Sequence, residues 1–458
     1  MGVRVGFGRL SAWSAALFAL VLWSPAARAE GATRAPTAHA IASYTLPNGL
    51  KVLLEEDHRQ KLVAICVRYE TGARDDPKGK RGLAHLVEHL TYRGSRHLKD
   101  GELATLFQRA GAADLGGETG FDATNFHATV SSSALPLALW LESERMAFSA
   151  EHFNAQSLSS ELNIVHREEV LFSSSQRPLV LGTLTAMFGA DHPYGAEGAE
   201  PADAKSLTLD DAREFFISGY RPDNATLVLV GDFETAAARS LIAQYFGPVR
   251  APDWPKVNTP RPPVPLGERT GSVGTVTPFR EVVLGFHVAT TNLRERARLD
   301  LLLAIVNADW TRHIATGETR VSAFGPSLQM LELGSVCLFD ARLLPGADFD
   351  QGESVIEAQL GRLDARLIAY ELAAVRHGLA IRALQDSENL ANRALLHAQS
   401  LAFFGHAVMA DDYLRELDAV TVDELVALAG TFDPQRGTRI NAKLAIGPVY
   451  VGAKAEQR

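Results

Sequence analysis

Cysteine is almost missing from this chain: 458 residues hold only Cys66 and Cys337. A disulfide-stapled secreted scaffold is therefore excluded, since such frameworks need several paired cysteines in a short sequence. Both residues sit in apolar, strand-like runs (LVAICVRY and SVCLFD), which favours two buried free thiols over the alternative of one disulfide. Basic charge is also scarce. Lys and Arg number 45 against 54 Asp and Glu, a formal net charge of -9. No nucleic-acid partner is expected, because affinity for phosphates needs clustered cations. Long apolar runs are lacking too. The one candidate, Leu10 to Trp23, is shorter than the roughly 20 apolar residues that cross a bilayer. Neither Gly (37) nor Pro (21) is abundant enough for a collagen-like or low-complexity chain.

What the first residues do carry is an export pattern. Arg4 and Arg9 precede the apolar run, and Pro25 and Ala27-Arg28-Ala29 follow it as a small-x-small cleavage site before Glu30. Residues 1–29 read as a signal peptide. The mature chain is then exported, periplasmic in a Gram-negative bacterium and otherwise secreted, with no stable membrane span after processing. The segment holds three Arg and no acid, so its removal moves the formal charge from -9 to -12.

At this length one hydrophobic core is not enough, and the chain divides visibly. Seven prolines fall between Gly247 and Pro265, a stiff, extended stretch that marks a linker over 247–266. Each side of it follows a similar plan. Thr208-Leu209-Asp210-Asp211 opens a helical pattern that ends at Tyr220-Arg221-Pro222. Thr421-Val422-Asp423-Glu424 opens another that ends at Phe432-Asp433-Pro434. In both, Thr is placed to cap the helix with acids in its first turn, and a strand-like run follows. KVLLEEDHRQKLVAICVRYE and the run around VVLGFHV read as the matching early strands. A repeat near 200 residues is too long for a solenoid. The expected fold class is α+β, as two similar α+β domains over 40–246 and 267–458. Each is an antiparallel-rich sheet with packed helices, and the Pro-rich linker joins them.

The chemistry concentrates in Arg81 to Leu90, RGLAHLVEHL. Gly82 can open a helix, and Leu83, Leu86, Val87 and Leu90 supply its apolar face. On that helix His85 and His89 lie one turn apart, about 40° from each other, with Glu88 on their side. Two imidazoles at i, i+4 can hold one zinc ion while the carboxylate between them takes a proton from water. This is the H-x-x-E-H order of inverted zincins. With 14 His in the chain, chance would yield the string in roughly a few chains per hundred. A catalytic zinc site needs a third ligand. Glu161 and Glu168, in the helical run SELNIVHREEVL, are seven apart and share one face within about 20°. One of them can bind metal while the other orients it or the substrate; His166 and Glu169 point elsewhere. The alternative is a solvated acidic face.

HLVEHL followed at this distance by E-x6-E resembles the pitrilysin/insulinase family, which includes the mitochondrial processing peptidases. GFDATNFHATVSSSALPLALWLESERM is similar to the family's strand and following helix, with Asp122, Thr124, Asn125 and Phe126 at family-like positions. FFISGYRPDNATLVLVGDF resembles the segment closing the first half. The resemblance implies that His85, His89 and Glu168 bind one zinc per chain, with Glu88 as general base and Glu161 as the supporting acid. It also implies an Arg and a Tyr on the substrate carbonyl, supplied by the second half or a partner, which the motifs here do not place. The second half matches only in plan: H-x-x-E-H does not recur there, and His287 and His313 stand apart.

One departure stands out. Where this family usually carries Asn and a small residue in the substrate-pairing strand, this chain has Gly116 and Gly117. These two and Thr119 are the candidate substrate-contacting positions. The expected activity is that of a zinc metalloendopeptidase hydrolysing extended peptides or unfolded segments, which add as an edge strand. The rivals are a non-catalytic binding or assembly subunit, and a catalytic half that needs a related subunit in a homo- or heterodimer.

Overall fold

The first half runs β1 (Ile41–Thr45), β2 (Lys51–Glu56), β3 (Leu62–Tyr69), α1 (Leu83–Leu90), α2 (Glu102–Arg109), β4 (Ala113–Thr119), β5 (Thr124–Ser131), α3 (Leu135–Phe148), α4 (Ala155–Ser173), α5 (Arg177–Phe188), α6 (Pro193–Ala196), α7 (Leu209–Gly219), β6 (Ala225–Gly231) and α8 (Thr235–Phe246). The second runs β7 (Thr270–Thr275), β8 (Glu281–Val288), α9 (Leu293–Ala315), β9 (Val321–Gln329), β10 (Ser335–Leu343), α10 (Phe349–Gly361), α11 (Ala365–Glu388), α12 (Leu390–Phe404), α13 (Ala410–Ala419), α14 (Val422–Ala429) and β11 (Thr438–Leu444). This computed structural model describes residues 41–173, 177–189, 191–196, 206–257, 270–275, 280–315, 320–434 and 438–444. The signal-peptide reading of 1–29 and the linker beyond Val257 lie outside the described residues.

Two sheets carry the chain. The first has strand order β1-β2-β6-β3-β5-β4 and the second β7-β11-β8-β10-β9. Set β1 aside and the orders coincide. The last strand of each half runs parallel to the first (β6 with β2, β11 with β7), and every other pairing is antiparallel. The fold is thus α+β, with two similar units of antiparallel-rich sheet and packed helices. The repeated Thr motifs cap the start of both helices as expected. Thr208 Oγ1 accepts from Asp211 N, and Thr421 Oγ1 accepts from Glu424 N, each reciprocated by the acid. The start of the proline stretch is tied to the first half, since Arg221 Nη1 donates to Trp254 O and Val257 N to Ser218 O.

The strand LVAICVRY is apolar without alternation because both of its faces are covered. Val63, Ile65, Val67 and Tyr69 enter the core formed with α1, α3, α7 and α8. Ala64 and Cys66 face the other way, and there a helix of the second half covers them. Leu390, Ala394 and Ala398 of α12 pack on Leu53, Ala64, Cys66, Val228 and Val230. The exchange is mutual. Leu179, Leu184, Met187 and Phe188 of α5, from the first half, pack on Val283, Val336 and Leu338 of the second sheet. Each half therefore lends one helix to the other's sheet. Cys66 and Cys337 are free and buried, on different sheets.

Charges also join the halves. Arg393 of α12 donates to Glu55 Oε1 (2.6 Å) and to Asp57, and His397 Nε2 meets Glu55 Oε2 at 2.7 Å, all buried. At the other end Asp122 accepts from Arg74 Nη1 (2.6 Å), from the Tyr194 hydroxyl (2.5 Å) and from the backbone N of Glu332 (3.0 Å). Asp122 thus ties the loop before β5 to the β9–β10 turn.

Candidate active site

Helix α1 starts at Gly82, whose φ of 84° suits a residue without Cβ. Its cap comes from six residues upstream: the Asp76 carboxylate accepts from Gly82 N (2.7 Å) and Ala84 N (2.8 Å), a negative group at the positive end of the helix. Leu83, Leu86, Val87 and Leu90 sink into the core, which fixes the rotation of the helix. His85 and His89 are thereby left partly exposed, facing α4. On α4, Val165 is buried and Leu158 and Leu162 pack against the same core, so Glu161 and Glu168 are presented together toward α1.

Three donor atoms converge. His85 Nε2 and His89 Nε2 are 3.3 Å apart, and Glu168 Oε2 lies 3.5 Å from the first and 3.4 Å from the second. Among the described residues this is the one group of three such side chains placed to hold a metal ion. The triangle can be tested against zinc. Ligands about 2.05 Å from a tetrahedral centre stand about 3.35 Å from one another. The observed edges match, and the donor set of two imidazoles and a carboxylate is one that zinc takes. The residues fit the ion.

Around the triangle the supports are specific. His89 Nδ1 lies 3.0 Å from Glu161 Oε2, so Nδ1 carries the hydrogen and Nε2 offers its lone pair to the triangle. Glu161 Oε1 in turn meets Arg93 Nε at 3.4 Å. Burial opposes a proton on His89, but hydrogen bonds to Glu161 and Glu168 and the nearby Glu88 outweigh it and hold its pKa up at about 10. Three carboxylates, those of Glu88, Glu161 and Glu168, thus surround the two imidazoles, an arrangement whose charge a dication would balance.

Glu88 is buried, and burial pushes its carboxyl up against the opposing influence of His89 and a hydrogen bond. That bond comes from Thr119, whose hydroxyl donates to Glu88 Oε2 at 2.7 Å. Thr119 closes β4, the edge strand of the first sheet. Gly117 of the same strand lies against Glu88: a Cβ there would stand 2.7 Å from Glu88 Oε1 and 2.9 Å from the Tyr92 hydroxyl. Gly116 looks to the opposite face, where a Cβ would meet the His127 ring at 3.1 Å. The glycines that interrupt the family pattern thus sit on an unpaired strand edge, and one of them leaves space for Glu88.

His85, His89, Glu168, Glu161, Glu88, Thr119 and Gly117 are therefore brought together. His166 is not: it lines a shallow surface depression with Arg93 and Arg167. The Glu169 side chain lies outside what the structure describes. His287 falls in β8 and His313 in α9, both in the second half. Sequence reasoning missed Asp76 as the cap and Thr119 as the partner of Glu88. The first had a signal, an acid ahead of a helix-opening Gly; the second had none, since Thr119 lies 31 residues from Glu88.

Residues 51–202 match the family described as Insulinase (Peptidase family M16), and residues 206–328 match the one described as Peptidase M16 inactive domain. The zinc protease PqqE of Helicobacter pylori is 25% identical over 404 residues, covering 85% of this chain and 89% of that protein. The crystal structure of a protease from Helicobacter pylori superposes with a TM-score of 0.80 at 24% identity, covering 88% of this chain and all of that one. The periplasmic protease PqqL of Escherichia coli superposes with a TM-score of 0.70 at 15% identity, over 88% of this chain but only 47% of PqqL. The two structural likenesses show the fold.

Proposed function

This chain belongs to the insulinase (M16) peptidase family, and from that premise we propose that it is a zinc-dependent endopeptidase of the inverted-zincin type acting on extended peptides. The observation that carries the proposal is the near-equilateral triangle of His85 Nε2, His89 Nε2 and Glu168 Oε2, with the buried carboxylate of Glu88 beside an open strand edge. These three atoms would hold one zinc ion per chain. Bound there, zinc would supply Lewis acidity toward a peptide carbonyl and toward water.

The chain's own residues do the rest. Thr119 occupies Glu88 Oε2 and leaves Oε1, on the Gly117 side, to accept the proton. Burial makes that carboxylate more basic, as its task requires. Glu88 then delivers the proton to the leaving amine. Glu161 keeps His89 in the tautomer that points Nε2 at the triangle. An extended peptide pairs along β4, read through its backbone, with Gly116 and Gly117 beneath it. Domain limits of 40–246 and 267–458 belong to the same proposal. So does export after cleavage at Ala29, which the basic and apolar start of the chain and the periplasmic fold neighbour PqqL support.

A second reading is a subunit of the family retained for binding. The match of residues 206–328 to the inactive-domain description favours it, and the complete triangle in the first half opposes it. One substitution separates them. Glu88→Gln should leave zinc content and thermal unfolding near wild type while lowering peptide cleavage about 10²–10⁴-fold. Equal cleavage by both proteins would place the chemistry elsewhere. Inactivity of both, with a co-purifying partner supplied, would favour the binding subunit.

A further inference from the structure

The strand edge beside the metal triangle has a second face. In β4 only Gly116 to Thr119 pair in unbroken register with β5, because the pairing shifts between Ala113 and Gly116. An extended peptide added along this stretch sends its side chains alternately to the two faces of the sheet. Those across from Gly117 and Thr119 point toward Glu88. Those across from Gly116 and Glu118 point the other way, and the chemistry at the metal makes no use of them.

On that far face α12 covers Ala64 and Cys66 of β3. Exposure returns toward the edge. His127 and Asn125 of β5 and Glu118 of β4 are half-buried, and His127 stands between Cys66 and Gly116 in the sheet. With no side chain at 116, the His127 ring leans outward over the glycine: a Cβ there would stand 3.1 Å from its Cε1 and Nε2. Nothing of β4 then separates the ring from a peptide residue across from Gly116.

The acceptors on this face lack donors. Burial pushes the Glu118 carboxyl up, and among the described residues nothing donates to it. Asn125, paired across from Glu118, has its Oδ1 buried without a partner, as does His127 its Nδ1. Burial also lowers the His127 pKa against the opposing charge of Asp114, so the ring is neutral at neutral pH. Arg68, the cation on this face of β3, gives its guanidinium to Glu70 and Glu332. A ring over a cross-strand glycine stabilises a sheet by itself. A half-buried carboxylate without a donor does not, and a ligand would mend that mismatch.

We infer that this face is a side-chain subsite: from a peptide paired on β4 it takes a long side chain ending in an N–H donor, which passes the His127 ring and reaches Glu118. The residue across from Gly116 supplies it, because diagonal neighbours on one face lie roughly 7–8 Å apart, within the span of Lys, Arg or Gln. An acidic side chain is rejected there, since it would meet Glu118 with no cation free to pair it. The inference rests on the pairing along β4 proposed above and adds which peptides that edge prefers.

Calorimetric binding to the zinc-loaded Glu88→Gln protein reads the subsite without cleavage. The probes are short alanine-based peptides in which one position at a time carries Lys, Gln, norleucine or Glu. At one position Lys and Gln should bind about tenfold more tightly than norleucine, and Glu about tenfold more weakly. Lys ahead of Gln (a charge contact) and the two level (a hydrogen bond alone) both support the subsite. Glu118→Lys should invert the order and make Glu the best of the four. Gly116→Val, which sets a branched side chain between peptide and ring, should level all four, while His127→Phe keeps a ring there and should keep the order. Should Gly116→Val unfold, Glu118→Lys carries the test, being half-exposed on an edge strand. Four side chains bound alike at every position, no peptide bound at all, or an order that survives Glu118→Lys overturns the inference. Cleavage by the wild-type chain is scored separately. Its absence would count against the peptidase reading and leave the binding order to decide the subsite.

Discussion

The two halves share a strand order and differ in what they do with their acids. In the second half the buried carboxylates are neutralised in place. Asp309 accepts from Arg312, Arg362 and Gln359, and Glu281 accepts from Arg342. In the first half Glu88, Glu161 and Glu168 gather around two imidazoles, with Arg93 as the nearby cation. The same topology thus holds a closed charge cluster on one side and an open one on the other. A duplicated scaffold keeps its hydrogen-bonded frame, while the helix after its early strands is free to diverge: α1 carries H-x-x-E-H, and α9 carries none. A deficit of positive charge, rather than the acids as such, marks where a dication fits.

The comparison breaks most sharply at the metal. Purified chain should hold about one zinc, and His85→Ala or Glu168→Ala should bring elemental zinc close to zero together with cleavage. His313→Ala, in the second half, should change neither. Zinc retained in Glu168→Ala and lost in Glu169→Ala would mean that the register of α4 is misread.

Next comes the helix exchange. Arg393→Ala leaves Glu55 and Asp57 buried without their shared cation, and chemical denaturation should show a loss of about 3–5 kcal/mol. Its counterpart on the other side is apolar. Met187→Ala in α5 opens space against Gly285 and should cost about 2–5 kcal/mol. A larger loss at Met187 than at Arg393 would show that packing, not charge, fastens the halves.

Much of this was legible from residues alone. HLVEHL, E-x6-E, the two Thr caps and the early strands each carry a local pattern, and each local pattern survives folding. The exchange of α5 and α12 does not show in sequence, because an apolar helix face looks the same whether it covers its own sheet or another's. Asp76 caps a helix it does not adjoin, and Thr119 reaches Glu88 only once β4 has been laid beside α1. Local periodicity carries no information about such contacts.

The edge strands offer a finer contrast. Gly117 of β4 and Gly325 of β9 lie on corresponding edges. A Cβ at 117 would press on the Glu88 carboxylate at 2.7 Å, while one at 325 would meet Asp340 Oδ1 at an ordinary 3.5 Å. Gly117→Ala should therefore lower kcat about tenfold, equivalent to about 1.4 kcal/mol, with zinc content unchanged. Gly325→Ala should leave kcat alone. Equal kcat values for Gly117→Ala and wild type would mean that Glu88 has room to act from another position.

The smallest expected effect is a difference in pH response. Asp57, in the first half, is buried, but Arg59 and Arg393 outweigh that and hold its pKa far below the usual carboxylate range. Asp340, in the second, is pushed up to about 7 by burial and by the charge of Glu281, against the opposing pull of Arg342. The signs are opposite. Asp57 releases its proton more readily folded than unfolded, so its contribution is present above about pH 4 and fades as the pH falls further. Asp340 holds its proton more tightly folded than unfolded. Its contribution is therefore fully present below about pH 4 and is lost as the pH rises through about 7. Because Asp340 is only half-buried, solvent screens much of the effect. Scanning calorimetry between pH 5 and 8 should show a Tm that falls with rising pH by roughly 2–4 °C on this account. Asp340→Asn should flatten that slope and raise Tm at pH 8, while leaving the acid-side loss due to Asp57 intact. A slope unchanged in Asp340→Asn would assign it to another group.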